Sequence, residues 1–99
     1  MIIKEPQQDG QSVRVTFELP SSVWAERVNL VGDFNNWSTT EHEMRQSRAT
    51  GNWSITLLLA AGRRYAFRYL VNGRDWHNDW HADEFVSNQY GSDNSVINL

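Results

Sequence analysis

The chain has 99 residues, of which 39% are hydrophobic and 21% charged, and its formal net charge at pH 7 is −3. This length predicts one globular domain with its own core, and the mixed, slightly acidic charge excludes nucleic-acid binding driven by phosphate neutralisation. No apolar run approaches the roughly 20 residues that a membrane-spanning helix needs, so membrane insertion is excluded as well.

Residues 1–10 are polar and turn-like and are predicted to form a tail or a short lead-in strand, followed by a domain over residues 11–99. The first residues lack an apolar core of signal-peptide length. The sequence contains no cysteine, which excludes disulfides and thiolate chemistry. A cytoplasmic location is therefore expected.

The first clear strand begins at Val13. Apolar residues occupy alternate positions from Val13 to Leu19, polar residues lie between them, and Pro20 ends the run. Period two over seven residues is typical of a half-buried strand. Residues 28–32 continue the pattern after a loop, and the turn formers of residues 33–37 end it.

The second half of the chain alternates in the same way. A weak strand is predicted around Glu43 to Arg48, and stronger ones with apolar residues at alternate positions from Trp53 to Leu59 and from Tyr65 to Val71. Asn72-Gly73 is a strong hairpin signal. A polar loop is predicted over residues 74–83.

A short run over residues 84–87 and a final strand over residues 95–99 complete the pattern. No amphipathic helix is indicated anywhere. About seven short strands separated by turn signals predict an all-β fold in which two sheets form a sandwich.

Nothing in the sequence indicates catalysis. It contains no nucleophile elbow, no Gly-rich phosphate loop and no dinucleotide fingerprint, and its acids fall on outward strand positions or in loops. We therefore predict neither enzymatic activity nor a cofactor. Residues 77–84, with two histidines and neighbouring carboxylates, have the composition of a divalent-metal site. The interpretation we favour is a surface loop in which aspartates cap turns, without a metal.

Five tryptophans are many for so short a chain. Trp53 shares its face with apolar neighbours and is predicted to lie in the core, and Trp24 is expected to seal one end of the sandwich. Trp37, Trp76 and Trp80 fall in two polar loops, where burying all three is difficult. Large exposed aromatic side chains usually mark a binding site.

A sugar suits this set of side chains. The C–H face of a pyranose ring stacks on indole much as a nucleic-acid base does, and amide, hydroxyl and guanidinium groups hydrogen-bond its rim of hydroxyls. The negative net charge favours a sugar over a nucleic acid.

Three separated segments resemble the family 48 carbohydrate-binding modules, and they occur in the order found in that family. They are VNLVGDFNNW at residues 28–37, YAFRYLVNG at residues 65–73 and NQYGSDN at residues 88–94. That family includes the glycogen-binding domains of AMP-activated protein kinase β subunits and the N-terminal modules of branching enzymes and isoamylases. The resemblance covers about residues 12 to 99. It implies an immunoglobulin-like, early-set sandwich that binds α-1,4-linked glucose chains.

The resemblance also implies a set of binding residues. Trp37 and Trp76 match the two stacking tryptophans of the family, and Arg68 stands where glycogen-binding members have a lysine. Alternation agrees for Arg68, which is out of phase with the inward-facing positions of its strand. Tyr90 stands where those members have a leucine that enters the ring of a cyclic glucan.

Ser92 and Asn94 match a hydroxyl and an amide that bond sugar hydroxyls, and Trp80 replaces a proline that often follows the aspartate matched by Asp79. From an open platform of this kind we expect a Kd of about 10 μM to 1 mM.

The alternative hypothesis is a protein-interaction or packing module associated with a glycogen-metabolising enzyme or kinase. A third is a module that targets a fused amylolytic enzyme to its glucan.

Overall fold

Ten short β-strands and one 3₁₀ turn make up the computed structural model, which describes all residues from 1 to 99. The 3₁₀ turn spans Asp33–Asn35. The strands are β1 (Ile2–Pro6), β2 (Ser12–Leu19), β3 (Val28–Gly32), β4 (His42–Glu43), β5 (Arg45–Gln46), β6 (Trp53–Ala60), β7 (Arg64–Val71), β8 (Asp75–His77), β9 (Glu84–Ser87) and β10 (Asp93–Asn98). No helix of this chain has the length and apolarity required to span a membrane.

The strands form two antiparallel sheets. One has the order β1-β2-β6-β5, and the other has the order β4-β3-β7-β10-β9, with β8 also pairing with β7. Residues 2–6, which the sequence left as either a tail or a lead-in strand, pair with β2. The predicted all-β sandwich is confirmed. The structure contains ten strands rather than about seven because several pairings involve only two to four residues.

The core lies where the inward residues of β2 meet those of β3 and β7. The alternate residues of β2 are buried, as their spacing predicted, and the ring of Phe17 packs edge-on against that of Phe67 at 5.1 Å between centroids. Trp53 is buried in the same cluster, which confirms its predicted place. Burial of side chains of this size contributes roughly 1.5–3 kcal/mol each.

The weak strand predicted over residues 43–48 is two strands in different sheets. β4 pairs with β3 and β5 pairs with β6, and the chain crosses from one sheet to the other at Met44. The Met44 side chain is buried in the core, and its backbone N–H donates to the Val28 carbonyl. A single apolar residue between polar neighbours gives no alternation from which such a crossing could be predicted.

Two other expectations were wrong. Trp24 does not seal the end of the sandwich, because its side chain is 89% exposed. The loop predicted over residues 74–83 contains β8, which pairs with the end of β7. The turn between them is the hairpin turn that the sequence predicted, with positive φ at both Asn72 and Gly73.

The segment with ligand-like composition, residues 77–84, is organised around a buried carboxylate. Asp79 is 3% exposed and accepts hydrogen bonds from the Tyr69 hydroxyl at 2.7 Å and from the His81 backbone N–H at 2.8 Å. The second bond is the turn-capping contact expected of an aspartate here, but the residue is buried rather than on the surface. No three His, Cys, Asp or Glu side chains of the chain are grouped so as to hold a metal ion.

Asp83 links β1 to β10 and makes stability dependent on pH. Its carboxylate accepts hydrogen bonds from the Lys4 ammonium and from the Asn98 backbone N–H. Partial burial would raise the pKa of Asp83, but these hydrogen bonds and the Lys4 charge together hold it below its ordinary value of 3.8. Because the pKa is lowered in the folded state, the stabilisation is present above pH 3.8 and is lost as the pH falls further.

Asp83→Asn should therefore lower the melting temperature at pH 7, and the difference from the wild type should shrink in acid. The pair is partly exposed, so the effect should stay below about 1 kcal/mol, or a few degrees. Thermal unfolding of both proteins from neutral pH into acid measures it. A difference that stays constant with pH would assign the effect to packing rather than to the charge of Asp83.

Candidate functional site

The candidate site lies on the outer face of the larger sheet. On β7, Phe67 and Tyr69 point into the core, so the residues between and beside them point outward. Arg68 pairs with Val31 of β3, and Leu70 pairs with Trp76 of β8. The pleat therefore places Arg68 and Trp76 on one surface, away from the core.

Trp37 is brought to this surface by a strained turn. Asn36 and Trp37 both have positive φ, at 55° and 58°, a conformation that non-glycine residues rarely adopt. The Trp37 backbone N–H donates to the Gly32 carbonyl at 2.9 Å. Gly32 has to lack a side chain, because a Cβ there would lie 2.6 Å from the Ala66 carbonyl oxygen. Strain of this kind persists only where surrounding contacts impose it.

Asp33 is the contact that fixes the Trp37 indole. One oxygen of its carboxylate, Oδ1, accepts a hydrogen bond from Trp37 Nε1 at 2.9 Å, and the other, Oδ2, accepts one from the Ala66 backbone N–H at 2.8 Å. Asp33 thereby ties the indole to the backbone of β7 at Ala66. The ring is held half-buried, with its orientation set before any ligand arrives.

Arg68 contacts both Trp76 and Ser92 and so links β8 to the loop that precedes β10. Its guanidinium carbon lies 5.6 Å from the ring centroid of Trp76, which is 42% exposed, and its Nη1 donates to Ser92 Oγ at 3.2 Å. A cation over an indole face is favourable by about 0.5–2 kcal/mol. Arg68 Nε is buried without a hydrogen-bond partner, so the guanidinium is only partly satisfied by the protein.

The loop between β9 and β10 borders the site on the side of Ser92, and hydrogen bonds of the Asn88 side chain fix its conformation. Its amide Nδ2 donates to Ser92 Oγ at 3.0 Å and to Asn94 Oδ1 at 3.2 Å, while its Oδ1 accepts the Tyr90 backbone N–H at 2.9 Å. These bonds set the loop so that the Tyr90 side chain projects into solvent, where it is 83% exposed.

These side chains enclose one open depression of about 720 Å³. All six residues proposed from the sequence line it: Trp37, Arg68, Trp76, Tyr90, Ser92 and Asn94. Trp80, the third indole of the polar loops, is 93% exposed but lies outside it. The depression offers indole faces together with hydroxyl, amide and guanidinium groups, which suits a ligand with a flat apolar face and a polar rim.

Sequence reasoning missed five residues of the lining, namely Asp33, Thr39, Ala66, Asn88 and Gln89. Two of them hold the others in place: Asp33 positions an indole, and Asn88 positions the loop between β9 and β10. The signal for both was their place inside segments 28–37 and 88–94. Asp33 is one of twelve acidic residues and Asn88 is a common loop residue, so neither would have drawn attention by itself.

Curated proteins with related sequences include 1,4-alpha-glucan branching enzymes. The chain is 44% identical over 59 residues to the 1,4-alpha-glucan branching enzyme of Shewanella sp. (strain MR-4), a match that covers 56% of this chain and 8% of that enzyme. It is 51% identical over 45 residues to the 1,4-alpha-glucan-branching enzyme of Saccharomyces cerevisiae, covering 42% of this chain and 6% of the enzyme. The chain therefore spans less than a tenth of the length of these relatives.

Solved structures show the same fold at low sequence identity. The enterobactin esterase of Shigella flexneri, solved in the presence of 2,3-di-hydroxy-N-benzoyl-serine, superposes with a TM-score of 0.77 at 16% identity, over 99% of this chain and 32% of the esterase. The enterochelin esterase of the same organism gives 0.76 at 15% identity, over 98% and 32% of the two chains. At these identities the likeness concerns the fold alone.

The family model gives the wider match. Whereas the enzyme relatives align over about half of the chain, the model for Carbohydrate-binding module 48 (Isoamylase N-terminal domain) matches residues 4–90. That range includes the strained turn of Trp37, the outward face of β7 and the start of the Tyr90 loop. The chain belongs to the carbohydrate-binding module 48 family.

Proposed function

We propose that this chain is a non-catalytic module that binds α-1,4-linked glucan of the glycogen or starch type. The observation that carries the proposal is geometric: the six side chains expected from the sequence line a single depression that contains two indoles. Membership of the carbohydrate-binding module 48 family supports a sugar ligand. The names of the relatives, 1,4-alpha-glucan branching enzymes, support an α-1,4-glucan.

Each side chain has a role in this proposal. Trp37 and Trp76 stack against the C–H faces of glucose rings, at roughly 1–3 kcal/mol for each ring if stacking resembles that of bases. Arg68 and Asn94 bond sugar hydroxyls, and Tyr90 and Ser92 form the edge that the chain passes. The ligand stays largely in water, so the affinity is weak, with a Kd of about 10 μM to 1 mM.

Affinity electrophoresis tests the proposal directly. The protein should be retarded in a native gel containing glycogen or amylopectin, and free maltoheptaose should restore its mobility. A gel containing a soluble cellulose derivative, whose glucose units are β-linked, is the control and should leave the mobility unchanged. Equal mobility with and without glycogen would refute glucan binding, and equal retardation by both polymers would refute α-linkage preference.

A protein-interaction module, associated with a glycogen-metabolising enzyme, is the second candidate. The observation in its favour is that Trp24 and Trp80 are almost fully exposed and lie outside the depression. Exposed indoles are frequent anchors of protein interfaces.

Fluorescence separates the two candidates. In a Trp24→Phe/Trp80→Phe double variant the remaining indoles are Trp37, Trp76 and the buried Trp53. Maltoheptaose should then change the emission if glucan binds in the depression. It should leave the emission unchanged if the aromatic surface serves only a protein partner.

A further inference from the structure

A second depression adjoins the first, on the other side of Trp76. Its volume is about 380 Å³, and it shares two lining residues, Thr39 and Trp76, with the depression described above. None of the six residues expected from the sequence lies in it apart from Trp76. Most of its lining residues are polar or charged, and the side chains of interest here are Arg27, Asn29, Glu43 and Arg74.

Strand register explains why the two depressions are continuous. Asn29 pairs with Glu43 of β4 on one side and with Leu70 of β7 on the other, and Leu70 pairs with Trp76 of β8. Partners in antiparallel strands point to the same face, so these four residues form a row across the outer face of the sheet. The row that contains Arg68 lies next to it, two residues along β7.

The Asn29 side chain is the strongest indication that this row of residues binds a ligand. The residue is only 4% exposed, and its side-chain amide has no hydrogen-bond partner in the protein. The fully enclosed side-chain polar atoms without a partner are Trp53 Nε1 and Arg68 Nε, so the Asn29 amide keeps some access to solvent. Buried polar side chains are nearly always hydrogen-bonded, so an amide that faces a depression without a protein partner is available to a ligand.

Arg27 is held at the mouth of the same depression. A Cβ at Gly73 would lie 2.7 Å from Nη2 of Arg27, so the guanidinium rests directly against the hairpin turn, in space that the glycine leaves free. The Asn72 side chain accepts the backbone N–H of Arg27 at 3.2 Å, which fixes the base of the side chain. Unlike Arg74, which lies 3.7 Å from the Asp75 carboxylate, Arg27 has no acidic partner.

Charge and hydrogen-bonding capacity point to a neutral polyhydroxyl ligand. Two guanidinium groups donate, the Glu43 carboxylate accepts, and the Asn29 amide does both. Adjacent hydroxyls of a sugar need donors and acceptors side by side. Arg74 lies beside the Asp75 carboxylate. The remaining charges, those of Arg27 and Glu43, therefore balance and give a phosphate or sulfate no net attraction.

We propose that this depression is a second glucan subsite, in which a chain that occupies the first depression continues past Trp76. The inference rests on the proposed function. It assigns Asn29, Glu43 and Arg27 to additional glucose units, and it implies that longer chains bind more tightly than short ones because they reach both depressions.

Calorimetric titration with maltotriose and maltoheptaose tests the subsite. Glu43→Ala and Arg27→Ala should each weaken maltoheptaose binding by about tenfold, the size expected for one hydrogen bond to a charged group, and leave maltotriose binding unchanged. Glu41→Ala is the matched control, since Glu41 is an exposed acid of the same segment that does not line the depression. It should bind both sugars as the wild type does.

The outcomes separate this inference from the function on which it rests. If the wild type binds neither sugar, glucan binding itself is refuted, and the subsite with it. If the wild type binds both sugars but the Glu43 and Arg27 variants bind maltoheptaose unchanged, or lose both sugars equally, only the second subsite is overturned. Lack of a chain-length effect in the wild type would overturn it as well.

Discussion

Replacing Trp37 with alanine should abolish the retardation of this protein in a glycogen gel. The indole is held by Asp33 in the orientation that the depression requires, so the stacking surface is preformed and its loss is not compensated by a neighbour. Loss of one stacked ring corresponds to roughly 1–3 kcal/mol, or about 5- to 150-fold in Kd. From a starting Kd near the upper end of 10 μM to 1 mM, such a loss leaves no measurable retention. Trp76→Ala should act in the same direction.

The matched control is Trp80→Ala. Trp80 is also a loop indole and is more exposed than Trp76, but it does not line the depression. Its removal should leave retention on glycogen at the wild-type level, and circular dichroism should show all three variants to be folded. Wild-type retention of Trp37→Ala together with loss in Trp80→Ala would place the binding site at Trp80, in the β8–β9 loop.

Most of what the sequence could predict about this fold follows from the alternation of inward and outward residues along each strand. Period two placed Phe67 and Tyr69 inside and Arg68 outside, because the pleat of a strand leaves no other choice. The same logic could not find β8, whose three residues become a strand only by pairing with β7. Nor could it place Trp24, since a loop side chain has no periodic neighbour to set its direction.

The candidate site, too, could be predicted only in part from the sequence. Motif resemblance nominated the six side chains, and the structure brings all of them to one depression. What the motif could not supply is the reason that they converge: the positive φ of Asn36 and Trp37, the Asp33 carboxylate between two donors, and the Asn88 amide within its loop. The bond from Ala66 to Asp33 joins distant parts of the chain, and the other features depend on the conformation of the turns, which residue types alone do not specify.

For Asp79 the composition of the segment predicted a surface loop, whereas the residue is buried and stabilises the fold. Its carboxylate is buried beside the phenol of Tyr69, at 2.7 Å. Burial, and after it the charge of Asp79, raises the pKa of Tyr69 well above its ordinary value. The phenol therefore remains protonated at neutral pH and donates to the Asp79 side chain.

Asp79→Ala should consequently lower the free energy of unfolding by about 3 kcal/mol, because it leaves the buried Tyr69 hydroxyl and the part-buried His81 backbone N–H without an acceptor. For a domain of this size that corresponds to roughly 10–20 °C in melting temperature. Urea and thermal unfolding measure the loss. Asp79→Asn, which keeps one acceptor oxygen, should lose much less, and Tyr69→Phe should lose about 1–2 kcal/mol. If the losses of Asp79→Ala and Tyr69→Phe simply add in the double variant, the two groups are not coupled, and the stabilising role assigned to their hydrogen bond is wrong.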